Sequence, residues 1–326
     1  MVNTIKYQKG KDMNLNVMMV GFSGTGKTSY MGAMYRIFNQ SGYNGFRISA
    51  VDNDNHRALL SMGRRLLEGV YPEGTDIRDV YEFELFHNNE DLLRFNWMDY
   101  RGGVLNERGN SELRDVVDQI VKADALMVFV DTPRLLSEPD ESEKLLRRIQ
   151  LLLQNAISAI KNNLLVVSFV MTKADCVDDY EALSKSSAWQ RCANILKMLG
   201  ENENVFGVVS FVKVGRECEN VEYPFLHTMS MGLKMRTEQI AKELVGAVEK
   251  AKRYNEDGSL FDEVGTFFKK IFVDERSKSK WDLGNEEIAK ADRLYRKFEK
   301  LENPLERIVD IIKCAIESDE IAVFGI

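Results

Sequence analysis

The chain has 326 residues, of which 44% are hydrophobic and 29% charged, so it can bury a core and is not disordered as a whole. Its 44 lysines and arginines against 51 aspartates and glutamates give a net charge of −7, which argues against a dedicated nucleic-acid binder. Four scattered cysteines without C-x-x-C spacing indicate reduced thiols. The longest apolar run is too short to span a bilayer and the first 16 residues are polar, which predicts a cytoplasmic protein without stable membrane insertion.

The first part of the chain predicts a strand, a loop and a helix, followed later by a hairpin. A polar lead-in covers residues 1–13. The predicted elements are a strand at 17–20, a helix at 27–38, a strand at 43–51, a helix at 53–69, a loop at 71–79 and alternating strands at 80–86 and 92–98. Because Asn88-Asn89 separates the last two strands, we expect them to form an antiparallel hairpin.

From residue 125 onward, strands alternate with helices. Predicted strands lie at 125–130, 164–171 and 205–214, and predicted helices at 141–161, 186–199 and 232–252. Because these strands are apolar almost without interruption, they predict a parallel sheet covered by helices on both faces. The composition then shifts to a charged linker and two amphipathic helices at 286–301 and 304–317. We therefore predict a main domain over 14–252 and a linker with a helical extension over 253–326.

A glycine-rich loop lies between the first predicted strand and helix. Residues 21–28, GFSGTGKT, match G-x-x-x-x-G-K-[ST] without deviation. Such a loop turns successive backbone N–H groups inward at a helix N-terminus, where they bind phosphate. Lys27 is predicted to reach the β- and γ-phosphates, and the Thr28 hydroxyl to bind Mg²⁺. The predicted phosphate-binding residues are Gly21, Ser23, Gly24, Thr25, Gly26, Lys27, Thr28 and Ser29.

Two later segments bear on which nucleotide binds. Asp99 ends a predicted strand and can hold Mg²⁺ through water, and the Gly102 backbone N–H can approach the γ-phosphate. The segment 172–175, TKAD, follows another strand. The Asp175 carboxylate can accept hydrogen bonds from both N1–H and the 2-amino group of guanine, whereas adenine offers an acceptor at N1. Lys173 can lay its aliphatic stem over the base, and Thr172 completes this predicted nucleotide-binding set.

Together, the three motifs resemble the translation-factor-related (TRAFAC) class of P-loop GTPases, which includes the Ras-like proteins, in their order and strand positions. More narrowly, residues 69–75 (GVYPEGT) and 97–102 (WMDYRG) are similar to bacterial domains of the double-GTPase kind. The resemblance covers residues 14–250. It implies a three-layer α/β P-loop fold of small-GTPase type, with a mostly parallel sheet and one antiparallel hairpin strand. The resemblance does not cover the helical C-terminal extension, which the amphipathic pattern alone predicts. It also implies GTP or GDP as ligand together with Mg²⁺.

The resemblance assigns further roles by position. Thr75 would be the switch I threonine that joins the Mg²⁺ site, although it lies 47 residues after Thr28, so the helix at 53–69 would be an insertion. The predicted metal set is Thr28, Thr75 and Asp99, and the predicted catalytic set is Lys27, Thr75 and Gly102. Ser210 would contribute to the last guanine-contact motif, which is degraded here.

The sequence leaves three functions open. The preferred one is a GTP-binding switch that hydrolyses GTP to GDP with Mg²⁺. Gly103 stands where many Ras-like proteins carry a water-positioning glutamine, which predicts slow hydrolysis or a catalytic group supplied elsewhere. Arg101 or Arg108 could supply it in cis or across a nucleotide-dependent dimer, or a GAP could supply it. The expected protein partner is an effector or a GAP. The same glycine favours the alternative of a non-catalytic GTP-binding assembly module. The third reading is a P-loop ATPase, if residues 172–175 point away from the base.

Overall fold

The structure is a computed structural model that describes residues 15–72, 79–99, 110–160, 165–251 and 285–324. The predicted lead-in at 1–13 and nearly all of the predicted linker lie outside these residues.

The described residues contain one eight-stranded sheet. Its strands are β1 (Leu15–Val20), β2 (Phe46–Ala50), β3 (Asp79–His87), β4 (Glu90–Asp99), β5 (Ala125–Asp131), β6 (Leu165–Thr172), β7 (Val205–Phe211) and β8 (Ile321–Phe324). The order across the sheet is β2-β3-β4-β1-β5-β6-β7-β8. Strands β4, β1, β5, β6 and β7 run parallel, β3 is antiparallel to both of its neighbours, and β8 is antiparallel to β7.

Helices connect most of these strands. They are α1 (Lys27–Arg36), α2 (Asn53–Leu67), α3 (Asn110–Lys122), α4 (Arg134–Ser137), α5 (Pro139–Ile160), α6 (Tyr180–Lys185), α7 (Ser187–Gly200), α8 (Glu222–Ala251) and α9 (Asn285–Glu317). Polar side chains cap the start of three of them: Asp52 accepts from the backbone N–H groups of residues 54 and 55, Asp179 accepts from the N–H of Ala182, and Ser186 accepts from the N–H of Trp189. None of the helices in these ranges is both long and apolar enough to cross a membrane.

The sheet is covered on both faces, as the apolar strands predict. On one face, α3, α5 and α7 pack on alternate residues of the central strands, such as Val128 of β5. On the other face, Tyr30 of α1 meets Phe129 of β5 edge-on, and Phe225 of α8 stacks on Trp97 of β4. Side chains on both faces are buried, which confirms the predicted three-layer α/β architecture of small-GTPase type and its mostly parallel sheet.

Several element boundaries differ from the prediction. Helix α8 begins ten residues earlier than expected, because Pro224 lies in its first turn, where a missing N–H costs nothing. The two helices expected at 286–301 and 304–317 are one helix, α9, with Pro304 inside it and a buried stripe that continues from Leu301 to Ile308. Strand β8 and helices α3, α4 and α6 were not predicted.

The chain divides into two compact units, one formed by residues up to Gly232 together with those from Ile308 onward, and one formed by Leu233–Arg307. In the second unit, Leu244 of α8 and Phe298 of α9 are buried. The predicted domain boundary at 252/253 stays a prediction.

Candidate nucleotide-binding site

The glycine-rich loop joins β1 to α1 and needs its glycines for defined reasons. Gly24 and Gly26 have φ angles of +81° and +84°, which residues with a side chain rarely adopt. A Cβ on Gly21 would lie 2.8 Å from Thr25 Oγ1 and 2.9 Å from the backbone oxygen of Phe129. The sequence therefore folds here into the tight turn at a helix N-terminus that the motif predicts.

Lys27 is the first residue of α1 and its ammonium group lies inside the loop. Its Nζ donates to the carbonyl oxygens of Gly21 at 2.7 Å and Phe22 at 3.1 Å, and the residue is 6% exposed. Burial lowers the pKa of Lys27, while the carboxylate of Asp99 acts in the opposite direction. A cation held among backbone dipoles at a helix N-terminus is suited to neutralise phosphate charge.

Two oxygen ligands suitable for Mg²⁺ meet beside this lysine. Thr28 follows Lys27 in α1, and Asp99 ends β4, which pairs with β1 so that Met19 lies opposite Asp99. The Thr28 hydroxyl oxygen is 3.3 Å from Asp99 Oδ2, and Asp99 is 3% exposed. A hydroxyl and a carboxylate are the hard oxygen donors that Mg²⁺ prefers, so the residues present fit this ion.

Thr172 ties the phosphate loop to two strands. It ends β6 and is buried, and its hydroxyl oxygen lies 2.7 Å from the backbone oxygen of Thr25 and 2.9 Å from that of Val130. A Cβ on Gly26 would meet the Thr172 side chain at 3.6 Å. Thr172 therefore contacts the phosphate loop from behind and holds it against the ends of β5 and β6.

The next three residues present the predicted base-recognition groups. Lys173 has φ of 57° and ψ of 36°, in the left-handed region, and its Nζ lies 2.5 Å from Asp131 Oδ2. Residues 174–176 form a single 3₁₀ turn, fixed by a hydrogen bond from the Ala174 N–H to the Val212 oxygen at 3.2 Å. Asp175 is exposed on this turn, so its carboxylate is accessible to a ligand with two adjacent donors.

Two residues of this region were missed by sequence reasoning. Asp131, the last residue of β5, holds Lys173 as described above. Tyr71 is the first residue of the predicted loop at 71–79, and its hydroxyl donates to the Val214 oxygen at 3.2 Å. Burial, followed by the negative charge of Asp175, raises the pKa of Tyr71. The sequence signal for both residues was weak, because Asp131 is an acid at a strand end and Tyr71 is an aromatic residue in a turn-rich loop.

Some predicted site residues lie outside the described residues, and another is buried within the sheet. Thr75 and Gly102 lie outside the described residues, as do Arg101, Gly103 and Arg108. Ser210 is fully buried inside β7, opposite Val170 of β6 and Ile321 of β8. Its hydroxyl has no hydrogen-bond partner within the described ranges, and an enclosed side chain has no exposed surface to offer a nucleotide.

Comparison with known proteins gives only distant likenesses. No family model matches the chain, and no curated protein matches it. Among solved structures, the GTP-bound SRb–SRX complex of the signal recognition particle receptor from Chaetomium thermophilum is 13% identical, with a TM-score of 0.40, over 62% of this chain and 92% of that one. The Arl6 BBS3 small GTPase from Trypanosoma brucei is 14% identical, with a TM-score of 0.36, over 67% and 96%. Similarity at this level defines no function for the chain.

Proposed function

We propose that this chain binds GTP together with Mg²⁺ and hydrolyses it to GDP, acting as a nucleotide-dependent switch. The observation that carries the proposal is that three motifs lie at the carboxyl ends of parallel strands of one sheet. The phosphate loop follows β1, Asp99 ends β4, and residues 172–175 follow β6, with the Thr172 hydroxyl joining the last motif to the first. Ligands of open α/β sheets bind at this edge.

In the proposed mechanism, the chain binds phosphate with backbone donors and neutralises it with Lys27. The N–H groups of residues 21–28 would surround the phosphates, and Lys27 would move its three donors from loop carbonyls to phosphate oxygens. Thr28 and Asp99 would hold Mg²⁺, which would offset the negative charge of the phosphates. Thr75 and the N–H of Gly102 complete the proposed catalytic group on the γ-phosphate side.

Asp175 selects the base in this proposal. Its exposed carboxylate can accept two parallel hydrogen bonds from guanine, while adenine would place an acceptor against it. Lys173 covers the base with its stem.

A non-catalytic GTP-binding assembly module is the second candidate. It is favoured by Gly103, which has no side chain to orient the attacking water. Under the preferred function, the missing group is supplied by a GAP or by an arginine of the same chain or of a second copy. A protein effector is the expected partner, and the protein works in the cytoplasm.

Nucleotide binding and phosphate release by the purified full chain test the proposal. We expect a fluorescent GTP analogue to bind in the presence of Mg²⁺, and to be displaced by GTP but not by the same concentration of ATP. We expect phosphate to be released slowly, at about 10⁻⁴ s⁻¹, which is the rate of unaided Ras-type hydrolysis. Lys27→Ala is the control that should abolish both signals. Binding without phosphate release above that control would refute hydrolysis and favour the assembly module. Equal displacement by ATP would refute the choice of guanine.

A further inference from the structure

A partly shielded ion pair lies beside the base-recognition motif and is not explained by the three motifs. Asp131 Oδ2 accepts a hydrogen bond from Lys173 Nζ at 2.5 Å. The Asp131 side chain is 14% exposed and that of Lys173 41%. The pair joins the end of β5 to the residue that follows β6.

The backbone of Lys173 makes this contact specific. Its left-handed conformation is uncommon for a residue with a side chain, and the neighbouring bonds of Thr172 and Ala174 hold it in place. Lysine has a flexible four-carbon stem that samples many rotamers when its end is free. With Cα fixed by the backbone and Nζ fixed by Asp131, the stem between them is restrained to a narrow range of positions.

The second oxygen of the carboxylate has a separate structural contact. Asp131 Oδ1 accepts the backbone N–H of Arg134 at 3.4 Å, at the start of α4. Asparagine keeps an oxygen for such a contact but carries no charge to attract an ammonium group. The variant Asp131→Asn therefore separates the turn contact from the ion pair.

We propose that Asp131 is a positioning residue that anchors the ammonium of Lys173, so that the lysine stem forms one wall of the purine pocket. This inference rests on the proposed function. The wall contacts the flat face of the base, whereas Asp175 reads its edge. Loss of Asp131 should therefore weaken the binding of all guanine nucleotides by the same factor and leave the preference for GTP over ATP unchanged.

A double-mutant cycle tests the inference on the full chain with mant-GDP in Mg²⁺ buffer. The four proteins are wild type, Asp131→Asn, Lys173→Met and the double variant. We expect each single variant to weaken binding about 3- to 10-fold, and the double variant to lose no more than either single one. Glu84→Gln is the matched control, since Glu84 pairs with Arg94 at 2.6 Å with exposures of 26% and 47%, and it should bind like wild type.

The possible results separate the inference from the proposed function. Failure of wild-type protein to bind mant-GDP overturns both. If wild type binds, an unchanged affinity of Asp131→Asn overturns the inference alone, and so do losses that add in the double variant. If Asp131→Asn lowers the midpoint of thermal unfolding, the inference is tested by comparing the mant-GDP affinities of Lys173→Met and Lys173→Ala. Methionine keeps the aliphatic stem, so Lys173→Ala must bind mant-GDP more weakly than Lys173→Met. Equal affinities of the two variants overturn the inference.

Discussion

The exchange of Asp175 for asparagine tests the base-selecting role directly. The carboxylate is exposed on the 3₁₀ turn after β6, and Ala174 anchors that turn to Val212. In Asp175→Asn, one acceptor becomes an NH₂ donor that faces the 2-amino group of guanine. Xanthine carries an oxygen at that position, so its edge matches the asparagine amide.

The size of the effect follows from the type of bond lost. A hydrogen bond to a charged group contributes about 1.5–3 kcal/mol, which corresponds to about 10- to 100-fold in affinity. Because the Asp175 carboxylate is exposed to water, we expect the loss of GTP affinity near the lower end of that range. We expect xanthosine triphosphate to bind the variant more tightly than it binds wild type.

Competition against a bound fluorescent guanine nucleotide measures both changes. Asp179→Asn is the matched control, because Asp179 caps α6 through the N–H of Ala182, and asparagine caps a helix equally well. The reasoning is refuted if Asp175→Asn and Asp179→Asn have the same affinities for GTP and for xanthosine triphosphate.

Three further predictions address phosphate, folding and pH. Lys27→Ala should abolish GTP binding, and Thr28→Ala should abolish the Mg²⁺ dependence of that binding, both with unchanged far-UV circular dichroism. Full GTP affinity in Lys27→Ala would contradict the phosphate-loop assignment. Thr172→Val should cost about 1–3 kcal/mol in urea unfolding, because a buried loop carbonyl loses its donor, whereas Thr237→Val, whose hydroxyl bonds within α8, should cost less. Burial lowers the pKa of His227 to about 3, below its ordinary 6.5, so the unfolded chain binds the extra proton between these values and stability falls as pH falls. Between pH 7 and pH 5, His227 should lower the free energy of unfolding by about 2 kcal/mol. The measurement is the loss of stability of wild type over this range minus that of His227→Gln, and an equal loss in both proteins would contradict the prediction.

The sequence was informative where local chemistry dictates local geometry. The tight turn at 21–28 could be predicted because its glycines have defined backbone roles, which the φ values of Gly24 and Gly26 bear out. The hairpin turn could be predicted because asparagine tolerates positive φ, and Asn88 and Asn89 have φ of 50° and 66°. In both cases, residues close in sequence determine the structure.

The remaining features depend on contacts between distant segments. Asp131 contacts Lys173 across 42 residues, and Tyr71 contacts Val214 across 143, so neither segment alone indicates a partner. Strand β8 has four residues and no pattern of its own, and it pairs with β7 where Gly207 leaves room for the ring of Phe324. Pro304, Asn303 and Glu306 form a good helix start locally, but the buried stripe of α9 continues through them, so packing outweighs the local signal.

Contacts between distant segments also connect base recognition to phosphate recognition in the proposed site. The phosphate loop and the base-recognition segment are 144 residues apart, counted from Thr28 to Thr172, yet the Thr172 hydroxyl contacts the loop carbonyl of Thr25. The carbonyl oxygen of Val130 lies 2.9 Å from the same hydroxyl oxygen, and the next residue, Asp131, holds Lys173. A shift of the end of β5 would therefore displace the phosphate loop and the base wall together. For this reason, we expect substitutions at Thr172 to weaken GTP and GDP in equal proportion, as measured by competition with mant-GDP, whereas a loss confined to GTP would place the role of Thr172 at the γ-phosphate instead.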